Sequence, residues 1–100
     1  MEFTELKKKI ESDLRLNKPD FVKDTDTSMN IGHIELNSTQ QLVFSVSTFK
    51  GKVYIDIRNW FQDQTGEWKP TKKGVHLSME KLTEFDKLSK IFSEIQKLNG

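Results

Sequence analysis

The chain has 100 residues and a net charge of +1, with 34% hydrophobic side chains, 31% charged ones and no cysteine. That length fits one domain, which buries only ~60–70% of its unfolded surface; the missing cysteines exclude disulfide scaffolds, thiolate chemistry and cysteine-bound zinc, and a near-neutral balance leaves local clustering as the route to a basic surface. No apolar run approaches the ~18 residues of a membrane span, and the acidic start Met1-Glu2-Phe3-Thr4-Glu5 has no signal-peptide core, so the expectation is an intracellular protein without membrane contact, in the cytoplasm or nucleoid of a prokaryote or virus-infected cell, or in a eukaryotic nucleus.

Residues 1–17 read as an N-terminal amphipathic segment, with the helix itself over 4–16. Phe3, Leu6, Ile10 and Leu14 recur at three- and four-residue steps, while Lys7, Lys8, Lys9, Glu11 and Asp13 fill the other face. Thr4 is the expected N-cap. Lys18-Pro19 ends the helix, because a residue before proline is pushed out of the helical region. Residues 18–28 are polar and aperiodic and read as a connector; residues 29–100 read as the domain proper.

From residue 29 the period becomes two. Ile31 and Ile34 open a short strand, and Asn37-Ser38-Thr39-Gln40 is a turn. Leu42, Phe44 and Val46 then alternate with Val43, Ser45 and Ser47, the larger apolar set inward. Lys50-Gly51 makes a tight hairpin, since glycine supplies positive φ. In the next strand Val53, Ile55 and Ile57 face one way and Lys52, Tyr54, Asp56, Arg58 and Trp60 the other. Residues 62–66 form a loop, and the short strand Glu67 to Lys69 is cut by Pro70. Gly74 to Ser78 follows, with Val75 and Leu77 inward and His76 outward. Strands at this spacing suggest an antiparallel meander. Ser78 caps a long helix whose stripe, Met79, Leu82, Phe85, Leu88, Ile91, Phe92, Ile95 and Leu98, is wider than one seam. One side of it can lie on the sheet. The surplus needs either the N-terminal helix or a second subunit.

The polar face of this sheet carries Phe49, Tyr54 and Trp60 among Lys52 and Arg58. Residues 28–78 hold six basic and four acidic side chains, and five of the six, Lys50, Lys52, Lys69, Lys72 and Lys73, sit beside turns. Rings interleaved with cations suit a single strand, because every base offers a π-face and the backbone a regular negative charge. Duplex reading needs an element shaped for a groove, and none is evident. The bland alternative is a solvated sheet face with its aromatics covered by the first helix.

The run Phe49-Lys50-Gly51-Lys52-Val53-Tyr54-Ile55-Asp56-Ile57-Arg58, then Gly66-Glu67-Trp68-Lys69-Pro70, then Lys72-Lys73-Gly74-Val75-His76-Leu77-Ser78, resembles the DNA-binding domain of the transcriptional coactivator family called positive cofactor four. The match covers about residues 40–98. The resemblance implies an α+β fold, a curved four-stranded antiparallel sheet followed by a long C-terminal helix, here with an added N-terminal helix. It implies a homodimer joined through the C-terminal helices, at Leu88, Ile91, Phe92 and Ile95. It implies sequence-independent binding of single-stranded DNA as an accessory factor in transcription, replication or recombination, with replication or transcription proteins as further partners. The contacts carried over are Phe49, Lys50, Lys52, Arg58, Phe61, Lys69, Lys72 and Lys73. Phe61 stands at the family's stacking tryptophan, whereas strict alternation puts Trp60 on the binding face; both are kept.

Three departures stand out. Asn59 replaces an acidic residue. Thr71 replaces the glycine of K-P-G, where a positive φ would be strained. The N-terminal helix and connector have no counterpart in the family motif. For the other candidates the structural reading prevails. His33 and His76 form no metal-ligand pattern, Asp56 beside Arg58 reads as an ion pair, and Lys7-Lys8-Lys9 as a solvated helix face. Trp68 reads as a residue tucked under its loop. No catalytic constellation is present, so neither an enzyme nor a cofactor or metal is expected. The competing function is a protein-interaction or dimerisation module that keeps the fold without binding DNA.

Overall fold

The computed structural model describes residues 2–100. In chain order it contains α1 (Phe3–Lys9), a π-helical turn (Ile10–Leu14), β1 (Ser28–Asn37), β2 (Gln40–Phe49), β3 (Lys52–Gln62), β4 (Trp68–Ser78), a 3-10 turn (Met79–Lys81) and α2 (Leu82–Asn99). The strands form one antiparallel sheet in the order β1-β2-β3-β4. The architecture is the expected α+β fold, with a helix at each end.

The β2–β3 hairpin closes on two residues. Phe49 pairs with Lys52, Lys50 has φ 50 and Gly51 φ 78. Positive φ at both central positions gives the turn whose twist matches the strands. Lys50 is the only non-glycine with positive φ among the described residues.

Two strands depart from the sequence reading. β1 is ten residues long, not a short strand, and its register shifts between Asn30 and Gly32. Ile31 is the extra residue of that bulge, so Ile31 and Ile34 never show a period of two. β4 runs unbroken through Pro70. It is an edge strand, where a missing N–H breaks no inner ladder. Arg58 pairs with Gly74 and Trp60 with Pro70, so residues 71–73 bulge opposite Asn59. Thr71 fixes the bulge: its hydroxyl donates to the Asn59 carbonyl at 2.8 Å and accepts from the Lys73 N–H at 3.1 Å. Thr71 therefore replaces glycine without a positive φ.

Register sorts the sheet into two faces. Met29, Val46, Ile55 and Leu77 share a row on one, with Phe44, Ile57 and Val75 in the next. The helical segment packs there, Ile10 against Met29 and Val46, with Phe3, Leu6, Ile31, Val53 and Met79 around them. The π turn holds more residues per turn, so the apolar stripe slips in phase after Ile10 and Leu14 ends up exposed. Neither expected cap forms: Glu2 takes the N-cap of α1, and Ser78 precedes the 3-10 turn with its hydroxyl on Glu80 at 3.4 Å.

The opposite face carries Asn30, Ser45, Asp56 and His76 in one row, then Val43 with Arg58, then Gln41 with Trp60. Val43 is 1% exposed, which a bare sheet face does not give. Here the connector crosses the sheet. The residues just before it follow the β1 edge, where the Leu16 N–H bonds the Ile31 carbonyl at 2.9 Å. Asn17 clamps His33, accepting its N–H at 2.9 Å and donating to its carbonyl at 3.2 Å. Such cover keeps an edge strand from pairing with other chains.

Gly74 is required by closeness rather than by φ. A Cβ there would lie 2.7 Å from the Ile57 carbonyl oxygen and 3.2 Å from the Arg58 Cα. Both are backbone atoms that cannot turn away. Gly74→Ala should destabilise the fold by ~1–3 kcal/mol, read by chemical denaturation, with amide exchange rising first along β4.

α2 leaves the sheet soon after it begins. Met79, Leu82 and Phe85 line an apolar groove of about 280 Å³ with Ile31, Phe44, Val46, Ile55 and Ile57. Beyond them Leu88, Ile91, Phe92, Ile95 and Leu98 are exposed, Phe92 by 74%. The N-terminal helix packs on the sheet rather than on this stripe. No helix among the described residues is long and apolar enough to cross a membrane.

Candidate nucleic-acid interface

The predicted contact residues fall into three groups along β3 and β4. The first is the hairpin tip. Phe49 is 62% exposed, Lys50 holds its Nζ 5.3 Å from the Phe49 ring centroid, and Lys52 sits directly across from Phe49. The two-residue turn forces this grouping, because it leaves the last residue of β2 and the first of β3 as neighbours.

The second group surrounds the β4 bulge. Lys72 and Lys73 are exposed. Arg58 is largely engaged: Nε and Nη2 donate to the two Asp56 carboxylate oxygens at 3.2 and 2.9 Å, and Nη1 donates to the Thr71 carbonyl at 3.0 Å. The guanidinium thus ties β3 to the bulge and fixes where the two lysines project. The Asp56–Arg58 ion pair is the one expected from their spacing. His76 stacks on Tyr54 with ring centroids 4.7 Å apart, and its Nδ1 lies 3.6 Å from Asp56.

The third group lies at the far end of β3. Phe61, 37% exposed, pairs with Lys69 in register. Phe61 lies nine positions after Lys52, a span of at most about 30 Å. Lys69 bonds Asp63 at 2.9 Å. Asp63 also accepts the Thr65 hydroxyl at 2.6 Å and the Thr65 and Glu67 N–H groups. The Thr65 hydroxyl, then Lys69, hold the Asp63 carboxyl far below the usual carboxylate range, and the Asp63 bond and charge, with Glu67, push the Lys69 ammonium up. Lys69 stays charged, and a phosphate has to compete with Asp63 for it.

Trp60 stands apart from these groups. Phe21 of the connector lies 5.3 Å from its ring at 46°, and stacks on Trp68 at 4.6 Å and 9°. The segment is anchored by Asp24, which bonds Arg15 at 2.7 Å and the Asn30 N–H at 2.9 Å, with Lys18 at 3.9 Å. Burial pushes the Asp24 carboxyl up, but the Asn30 N–H, the Arg15 bond and the Arg15 and Lys18 charges outweigh it, and the net shift is down. Trp68 is tucked away as expected, though beneath Phe21 rather than its own loop. The sequence reading passed over Phe21. Its one signal was a phenylalanine and a valine inside an otherwise polar stretch. No cluster of three or more His, Cys, Asp or Glu side chains suited to a metal ion occurs among the described residues.

Comparison with known proteins places this arrangement. The family model for Transcriptional Coactivator p15 (PC4) matches residues 36–88. The chain is similar to a PC4 homologue from Burkholderia pseudomallei at 24% identity. In the orthorhombic crystal form the TM-score is 0.59, with 71% of this chain and 96% of that one covered; in the tetragonal form it is 0.60, with 67% and 98% covered. This likeness speaks for the fold. The chain is also similar to the bacteriophage T5 homologue of the eukaryotic transcription coactivator PC4, a protein implicated in recombination-dependent DNA replication, at 31% identity and a TM-score of 0.53, covering 75% of this chain and 86% of that one. The family match starts at residue 36, so α1, the connector and most of β1 lie outside it. With more than half of its residues inside the family match, and the same sheet-and-helix architecture, the chain belongs to the Transcriptional Coactivator p15 (PC4) family.

Proposed function

We propose that this chain is a sequence-independent single-stranded DNA-binding homodimer, acting as an accessory factor in transcription, replication or recombination. The role needs no chemical step. The observation that carries it is the hairpin tip, an exposed Phe49 ring flanked by Lys50 and Lys52. A lone ring in water gains nothing, but beside cations it is a platform for a base with its phosphates neutralised. Lys72, Lys73 and Lys69 on β4, with Phe61 on β3, add further cations and a second ring. Phe61 is preferred to Trp60 as the second stacking ring, because Phe61 is open and Trp60 lies under Phe21. Arg58 acts mainly by holding the bulge. The phage homologue's part in recombination-dependent replication supports that branch of the role.

The homodimer is proposed through α2. Leu88, Ile91, Phe92 and Ile95 form an apolar stripe that nothing among the described residues covers, and such a stripe marks an interaction surface. The same stripe favours the second reading, a dimerisation or interaction module that does not bind DNA.

A salt titration separates the two. Each phosphate neutralised on a single strand contributes ~0.7 to the slope of log affinity against log salt. Five cations, Lys50, Lys52, Lys69, Lys72 and Lys73, give an expected slope of about −3.5 if each meets one phosphate. Mixed-sequence single-stranded DNA should shift in a gel and quench tryptophan emission at low salt. Neither effect at low salt would favour the interaction module.

A further inference from the structure

We infer that the Trp68 indole is a stacking site for a nucleobase, held in the free protein by the chain's own Phe21, and that single-stranded nucleic acid takes the site by displacing the segment 18–24. The inference rests on the single-strand-binding function proposed above.

Phe21 lies on Trp68 at 4.6 Å and 9°, the parallel overlap a base makes on an indole. Trp60 forms a second wall at 5.3 Å. Both tryptophans lie on the sheet face that carries Phe49, Lys52 and Arg58. Trp60 follows Arg58 in the alternation of β3, and Trp68 pairs with Gln62 on that same face, whereas Phe61 and Lys69 point to the other side. A strand running from the hairpin tip past Arg58 therefore meets a set of aromatic rings already filled from within.

The occupant resembles a base through its flat ring alone: Asp20 and Asp24 beside Phe21 are balanced by Lys18 and Lys23 within the segment, and Asp24 is paired with Arg15.

The segment is also built to come away. Its ends are tied by backbone hydrogen bonds, Leu16 to Ile31 and Thr25 to Ser28, whereas Val22 bonds back to Pro19 inside the segment. Between those ties it is held by the buried Pro19, by the Phe21 ring and by Asp24 on Arg15, Lys18 and the Asn30 N–H. A groove of about 540 Å³ remains beside it, lined by Lys18, Phe21, His33, Gln41 and Trp68 among others, so the segment does not seal against the sheet. Gln41 has its Oε1 buried without a hydrogen-bond partner there, which leaves that contact imperfect.

The test is fluorescein-labelled oligo-dT binding at moderate salt by the full chain and by Phe21→Ala, Asp24→Asn, Trp68→Ala and the Phe21→Ala/Trp68→Ala pair. Hydrogen exchange over residues 18–24 is followed with and without DNA. Removing the occupant, or its anchor, should tighten binding by about three- to tenfold, since a site open part of the time loses apparent affinity by that fraction. Trp68→Ala in the Phe21→Ala background should abolish the gain. Exchange over 18–24 should quicken when DNA binds. Asp24→Asn keeps every ring, so it carries the test should Phe21→Ala fail to fold. Unchanged or weaker binding by both variants, or slower exchange over 18–24 in the complex, would overturn the displacement. Should the wild type bind oligo-dT and lose it on Phe49→Ala while Phe21→Ala and Asp24→Asn change nothing, only this inference falls. No binding by the wild type at low salt removes the functional reading with it.

Discussion

A chain carrying Phe49→Ala, Phe61→Ala and Lys73→Ala should bind single-stranded DNA at least about thirtyfold more weakly than the wild type. Each base stacked on a ring is worth ~1–3 kcal/mol on alanine substitution. Two rings therefore give about 2–6 kcal/mol, and even the lower figure is a factor of about thirty. Lys73 adds a phosphate contact, and its loss should also flatten the salt slope by ~0.7. The fold should survive, because Phe49 is 62% and Phe61 37% exposed and Lys73 projects from an edge strand. Fluorescence anisotropy with oligo-dT, alongside a thermal melt, makes the measurement. Affinity equal to the wild type would remove these residues from the interface.

Phe92→Asp should convert the proposed dimer to monomers. Phe92 is 74% exposed in the single chain, so the substitution leaves the sheet and its core untouched. In a dimer joined through α2 the new carboxylate would be desolvated against apolar side chains without a partner, which costs several kcal/mol. Light scattering should report the monomer mass while circular dichroism stays native. DNA binding should weaken as well, since two linked sheets engage a strand with an avidity one sheet lacks. A folded, fully dimeric Phe92→Asp protein would remove α2 from the interface.

The parts of the fold that were legible in the sequence are those governed by local pattern. Val53, Ile55 and Ile57 alternate without interruption, and Lys50-Gly51 states its turn directly, so the β2–β3 hairpin was readable. α2 was readable from its spacing. β4 was misread because the rule against proline in strands is local, while permission comes from the edge position and the Thr71 bond to Asn59. β1 was cut short because one bulged residue, Ile31, destroys the period. Leu14 falls on the apolar stripe by spacing yet is exposed, because a π turn shifts phase in a way that apolar spacing does not reveal.

The candidate site divides in the same way. Phe49, Lys50 and Lys52 are neighbours in sequence as well as in space, so their grouping could be foreseen. Trp60 and Phe61 could not be ranked, because what separates them is the cover supplied by Phe21, far away along the chain. Alternation assigns a face but does not say what lies over it. For the same reason Val43 looked like an ordinary residue on a half-buried strand and is instead 1% exposed.

Amide chemical-shift mapping, with mixed-sequence single-stranded DNA added to the isotope-labelled wild type, tests the central claim most directly. The account predicts the largest shifts at Phe49, Lys50 and Lys52, continuing through Lys72 and Lys73 to Phe61 and Lys69, with the exposed stripe of α2 unmoved. Shifts confined to α2, or none at low salt, would contradict it.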